Sequence, residues 1–247
     1  MWWTTPSRCL RLTLASVVLL IPAAVSSAQD TPGKSATDPF RKGAEDGPWV
    51  QHHEQHLQQL KAGTTELIFI GDSITDQWSS AGQGVWDRYY TPRKAVNLGI
   101  GGDRTQHVLW RLEHGATQGI SPKVAVVMIG TNNLSSNPPD EVAAGIKAVV
   151  SKLRERLPKT KVLLLGIFPR GAKPDEIRDR IQGINEQIKS LDDGKFVKYL
   201  DISAAFLNPD GTISKEIMPD SLHLSARGYR IWADAIEPTL WTLMEGK

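Results

Sequence analysis

The feature that most constrains this chain is an alternation. Runs that are apolar at nearly every position, among them "LIFIG" at 67–71, "VAVVMIG" at 124–130 and "VLLLGIF" at 162–168, are separated by longer stretches whose apolar residues recur at helical spacing. A strand without a polar side has no face for water, so it belongs in a sheet covered on both sides, and the intervening helices supply the cover. Strands are predicted at Glu66–Ile70, Ala95–Leu98, Val124–Ile129, Val162–Ile167 and Val197–Leu200. Helices are predicted at Arg104–Glu113, Pro139–Arg156, Asp175–Leu191 and Ala226–Met244, with another from Trp49 to Gly63. The expected architecture is a flavodoxin-like α/β/α sandwich around a five-stranded parallel sheet, and 247 residues suit one such domain.

The first 28 residues stand apart. Arg8 and Arg11 precede an apolar run from Leu12 to Val25, and Ser26 and Ala28 occupy the small-residue positions of a cleavage site, which is the pattern of a signal peptide. The run is short beside the ~20 residues of a spanning helix, so no stable membrane anchor is expected. Export to the periplasm or the medium follows. Cleavage after Ala28 removes two of the 29 basic residues, none of the 27 acidic ones and the single cysteine, Cys9. The remainder is formally neutral, which opposes nucleic acid as a partner, and it has no thiol for a disulfide or a thiolate metal site. Residues 29–48, rich in Pro, Gly and charge, are expected to be a flexible linker, with the catalytic domain running from 49 to 247.

In a doubly wound sheet, ligands bind beyond the carboxyl ends of the strands. The residues there are "GDS" at 71–73, "GIGGD" at 99–103, "GTNN" at 130–133 and "FPR" at 168–170. Ser73, at a strand-to-helix turn, is either a helix N-cap or a nucleophile, and "GDS" alone leaves both open. The elbow G-x-S-x-G is absent, because Thr75 stands at its last position. A serine nucleophile needs a base, and of six histidines His223 in "MPDSLHLSARGY" follows Asp220 by three residues, close enough for one carboxylate to meet the imidazole. Acyl transfer also needs donors for an oxyanion, and Gly101, Gly102 and Asn132 offer a close-approaching backbone and a side-chain amide. A tight turn or a phosphate loop would account equally for the glycines.

Taken together, G-D-S, N-x-G-x-G-G-D, G-T-N and D-x-x-H in this order resemble the four blocks of the SGNH (GDSL-type) hydrolase superfamily. "FIGDSIT", "NLGIGGDRTQHVLWRLEHG", "FPRG", "NPDGTIS" and "DSLHLSARGY" are similar to segments of its platelet-activating factor acetylhydrolase Ib catalytic-subunit-like group, over roughly residues 49 to 243. The resemblance implies the SGNH hydrolase fold, with Ser73 as nucleophile, His223 as general base and acid, Asp220 as its orienting carboxylate, and an oxyanion hole of the Ser73 and Gly102 amides with the Asn132 side chain. It implies no cofactor and no metal. Ile74 stands where the name-giving motif has Leu. Ile74, Thr131 and Leu222, next to these groups, are expected to line a small acyl pocket, and Arg170 is divided between substrate contact and structure.

Other features are expected to be structural. His52, His53 and His56 are read as helix-surface residues rather than a metal site, His107 and His114 as packing or surface residues, and Trp86, Tyr89 and Tyr90 as core. The reading is an exported serine esterase that hydrolyses short-chain, acetyl-type esters of a carbohydrate or lipid. Its rivals are an O-acetyltransferase of the same fold and a flavodoxin-like nucleotide- or flavin-binding module. A homodimer is compatible with the sequence, which does not fix the oligomeric state.

Overall fold

The computed structural model describes residues 1–3, 35–61 and 64–245; the expected signal peptide lies almost wholly outside the described residues. Five parallel strands, β1 (Leu67–Gly71), β2 (Ala95–Gly99), β3 (Val124–Met128), β4 (Lys161–Leu165) and β5 (Val197–Leu200), form one sheet in the order β2-β1-β3-β4-β5. The helices are α1 (Pro48–Lys61), α2 (Ser73–Asp76), α3 (Gln83–Tyr89), α4 (Thr105–Glu113), α5 (Pro139–Arg156), α6 (Glu176–Lys189) and α7 (Ala226–Glu245). The predicted strands and long helices are all present, and the expected fold class is the observed one.

The sheet is covered as its composition requires. Successive side chains of a strand point to opposite faces. On β1, Ile68 and Ile70 join Val108, Leu112, Val142, Ile146 and Ile184 beneath α4, α5 and α6, whereas Leu67 and Phe69 join Trp78, Trp86, Tyr90, Trp232 and Ile236 beneath α3 and α7. The second layer is dense in rings. Phe69 lies 4.7 Å from Tyr90 and Trp78 lies 4.9 Å from Trp232, centroid to centroid, and each such pair adds about 0.5–1.5 kcal/mol beyond burial. Trp86 and Tyr90 are core residues as expected. Tyr89 is half-buried and donates its hydroxyl to Asp234 at 2.6 Å.

Two expectations need correction. Residues 35–48 are not a free linker: Ala36 is fully buried and its carbonyl accepts from Thr105 Oγ1 at 2.7 Å, and the Phe40 amide donates to the Gln106 carbonyl at 3.0 Å. The packed domain therefore begins by residue 35. Nor are His53 and His56 surface residues; both are buried on the inner side of α1, where His53 shares a hydrogen bond with the His114 carbonyl at 2.9 Å. Burial holds them neutral, with pKa values lowered to about 4 for His53 and about 2 for His56. Among the described residues, no group of three or more His, Cys, Asp or Glu side chains is arranged to hold a metal ion, and no helix is long and apolar enough to cross a membrane.

Candidate active site

The strand order reverses between β1 and β3, and the loops leaving the carboxyl ends of β1, β2 and β3 meet at that point. Straight after β1, Asp72 caps α2: its Oδ1 accepts from the Ile74 amide at 3.0 Å. The capping residue is thus Asp72 rather than Ser73, which is the first residue of the helix and so carries an amide without an intrahelical acceptor. Asp72 is fully buried and its Oδ2 has no hydrogen-bond partner. Desolvation raises its pKa to about 7, against the opposing pull of the Ile74 amide.

His223 reaches the same point from the far end of the chain, 150 residues away, and its Nε2 accepts from the Ser73 hydroxyl at 2.9 Å. Its other ring nitrogen, Nδ1, donates to Asp220 Oδ2 at 2.6 Å. The turn that presents them is made by the same carboxylate. Asp220 Oδ1 accepts from the amides of Leu222 and His223 at 3.0 and 2.7 Å, which curls the chain through Ser221 at φ +64° and swings the imidazole over Oδ2. Desolvation would raise the Asp220 pKa, but the bonds from the His223 ring and the two amides outweigh it and hold the carboxyl at about 2.

The glycine loop is cross-linked to both neighbours. Gly99 lets it pass: a Cβ there would stand 2.2 Å from the Asp76 amide, so no other residue fits beneath α2. Asn97 holds α2 from below by donating to the carbonyls of Thr75 and Asp76 at 2.9 and 3.1 Å. Asp76 Oδ2 in turn accepts from the Gly101 amide at 3.1 Å. On the other side, Asn132 Nδ2 donates to the Asp103 carbonyl at 2.9 Å, a bond that fixes the plane of the amide and leaves its second N–H for the crevice. Among the described residues, neither the Ser73 nor the Gly102 amide hydrogen has an acceptor in the protein. The next residue, Asn133, is wholly buried and bonds Thr105, Gln106 and Asn137 instead. Beneath the loop, buried Arg111 donates to the carbonyls of Leu98 and Gly71 and pairs with Asp103 Oδ2 at 2.8 Å, tying the ends of β1 and β2 together.

The expected acyl-lining residues are less alike than the sequence suggests. Ile74 is 2% exposed and belongs to the core beneath α7, so it backs the crevice and offers no open wall. Thr131 is buried, and its Oγ1 accepts from Arg170 Nη1 at 3.4 Å. Leu222 is half-buried, packed against the same core as Ile74. Arg170 is also half-buried. Sequence reasoning missed Lys42 and Asp76, both bonded to the glycine loop; no periodicity or motif marks either one.

A parallel α/β/α sheet with a serine, an imidazole and a carboxylate in register at its switch point has the form of an SGNH hydrolase, and the chain belongs to the GDSL-like lipase/acylhydrolase family, whose model matches residues 69–231. It is an esterase homologous to acetylhydrolases. It is 37% identical over 219 residues to the human platelet-activating factor acetylhydrolase IB subunit alpha1, covering 88% of this chain and 93% of that protein. It is 38% identical over 201 residues to the rat alpha2 subunit, covering 81% and 86% respectively. Among solved structures, a GDSL-like lipase from Bacteroides thetaiotaomicron aligns with a TM-score of 0.66 at 16% identity over 78% of this chain and 98% of that one. An acetylxylan esterase from Geobacillus stearothermophilus aligns with a TM-score of 0.56 at 23% identity over 72% and 94%. At these identities the two structures speak for the fold. Family membership decides for an esterase over a nucleotide- or flavin-binding module.

Proposed function

We propose that Ser73, His223 and Asp220 form a catalytic triad that hydrolyses short-chain, acetyl-type esters through an acyl-serine intermediate. The observation that carries this is the unbroken chain Ser73 Oγ–His223 Nε2–Asp220 Oδ2, at 2.9 and 2.6 Å. His223 takes the hydroxyl proton as Oγ bonds to the ester carbonyl carbon. The oxyanion so formed is received by the Ser73 and Gly102 amides and the Asn132 side chain. The imidazolium then protonates the leaving alcohol as its C–O bond breaks. Water, deprotonated by His223, attacks the acyl-serine, and the proton returns to Oγ as the acid leaves. Arg170 and Leu222 face the substrate from the crevice rim, while Ile74 and Thr131 limit its depth from behind.

An acetyl group is supported by the acetylhydrolase names of the relatives at 37–38% identity. For the alcohol half we favour a carbohydrate or lipid ester met outside the cytoplasm, which rests on the signal-peptide pattern of residues 1–28 and formal neutrality thereafter. Ser73→Ala should abolish hydrolysis of p-nitrophenyl acetate, and wild-type rates in a folded Ser73→Ala protein would end the proposal. Product partition with added saccharide acceptors separates hydrolase from O-acetyltransferase: acetate alone supports the hydrolase. Intact mass of the exported product should begin at Gln29.

A further inference from the structure

Resting on that assignment of the oxyanion hole, we infer that Lys42 is a positioning residue for it, acting through the peptide bond that joins Gly101 to Gly102. Lys42 comes from the segment ahead of α1 that the sequence marks as linker. Its Nζ donates to the Gly101 carbonyl oxygen at 3.0 Å. That oxygen belongs to the same peptide unit as the Gly102 N–H. A trans peptide is planar and directs its C=O and N–H to opposite sides, so fixing the oxygen fixes the hydrogen, aimed away from Lys42.

The approach is close on all sides. Gly102 has φ +73°, a conformation that favours glycine, and a Cβ there would stand 2.6 Å from Lys42 Nζ and push the ammonium off its carbonyl. The preceding amide is held as well, since Gly101 N–H donates to Asp76 Oδ2 at 3.1 Å. One peptide is thereby gripped by an anion at its neighbour's hydrogen and by a cation at its own oxygen. Without both, the Gly101–Gly102 unit could rotate and present its carbonyl to the developing negative charge.

Charge adds to orientation. A cation on a carbonyl oxygen draws density from the amide and strengthens the bond its N–H can donate, and consecutive hydrogen bonds reinforce each other by about 10–30%. The ammonium sits on the carbonyl side of that peptide, opposite the N–H it would strengthen. Lys42 thus acts on the transition state, where the oxygen is charged, and hardly on the bound ester. Removing an oxyanion donor outright costs about 100–1000-fold, and loss of its alignment and polarisation alone should cost about tenfold.

The test compares Lys42→Met, which keeps the length and loses the donor, with Lys42→Arg, which keeps both donor and charge, on full-length processed protein. Lys42→Met should lower kcat on p-nitrophenyl acetate about tenfold with KM changed less than twofold, and weaken inhibition by phenylboronic acid, whose tetrahedral adduct carries the oxyanion, by a similar factor. Lys42→Arg should recover at least a third of wild-type kcat. A role in packing alone would lower melting temperature without moving the boronate constant relative to KM, and that pattern overturns the inference. So does a folded Lys42→Met enzyme within twofold of wild type while Ser73→Ala is dead. An active Ser73→Ala removes the inference together with the site assignment beneath it.

Discussion

Replacing Asp220 by Asn tests whether its carboxylate acts electrostatically or only shapes the turn. Asn retains an oxygen, and the amides of Leu222 and His223, at 3.0 and 2.7 Å, should keep it. The NH2 then faces the imidazole where Oδ2 stood at 2.6 Å. Facing a donor, Nδ1 must be an acceptor, so the ring proton sits on Nε2 and the Ser73 hydroxyl loses its base. Escaping that tautomer breaks one hydrogen bond, worth about 1–1.5 kcal/mol. The imidazolium of the transition state also loses its counter-ion. A charge pair about 4 Å apart is worth about 1 kcal/mol in water and about 4 near a protein surface, and Asp220 at 56% and His223 at 27% exposure fall between these. Together the losses reach about 3–4 kcal/mol, a fall of roughly 100–1000-fold in kcat/KM on p-nitrophenyl acetate. Melting temperature should move little, since the turn's amides stay bonded. In the parent enzyme a carboxyl held at about 2 stays ionised across the working range, so the acid limb of the pH–rate profile should carry no second step from Asp220 above pH 3. An Asn variant within fivefold of wild type would refute the electrostatic role.

Asn132→Ala should reduce kcat about 100-fold or more while leaving fluorophosphonate labelling of Ser73 detectable by mass spectrometry. Asp72, with its pKa raised from 3.8 to about 7, stays protonated in the fold at pH values where the unfolded chain ionises, so its contribution to stability falls between about pH 4 and 7. Asp72→Asn, which can still accept from the Ile74 amide, should raise melting temperature at pH 8 and not at pH 3.5, by a calorimetric scan. His53 and His56 run the other way: folded values of about 4 and about 2 against 6.5 mean that stability present above pH 6.5 is lost as the pH falls toward 4. Urea midpoints at pH 7.5 and 5 should show this loss, and His56→Gln should lessen it.

Much of the fold was legible in the sequence because the central strands β1, β3 and β4 have no polar side to confuse their period, and because α4 to α7 present long apolar stripes. The serine, imidazole and carboxylate that meet at the switch point were legible as well, since Ser73 comes just after β1 and Asp220 and His223 lie just ahead of α7. What escaped were contacts between distant, aperiodic positions. Lys42 meets Gly101 across 59 residues from a stretch with no pattern at all. α2 has four residues, too few to reveal by spacing that Ile74 turns inward. His53 does fall on the apolar stripe of α1, but a histidine there is ambiguous until the His114 carbonyl that satisfies it is known. The cap at Asp72 was a matter of one residue, decided by which side chain could reach back to Ile74.

The distance along the chain between Ser73 and His223 has a consequence for folding. The two meet across 150 residues, so no partly folded chain that lacks the docked start of α7 can join them. Reaction of Ser73 with a fluorophosphonate is then a clock for the final long-range closure rather than for collapse or helix formation. A chain synthesised amino end first would hold Ser73 without its imidazole partner until the last segment arrived.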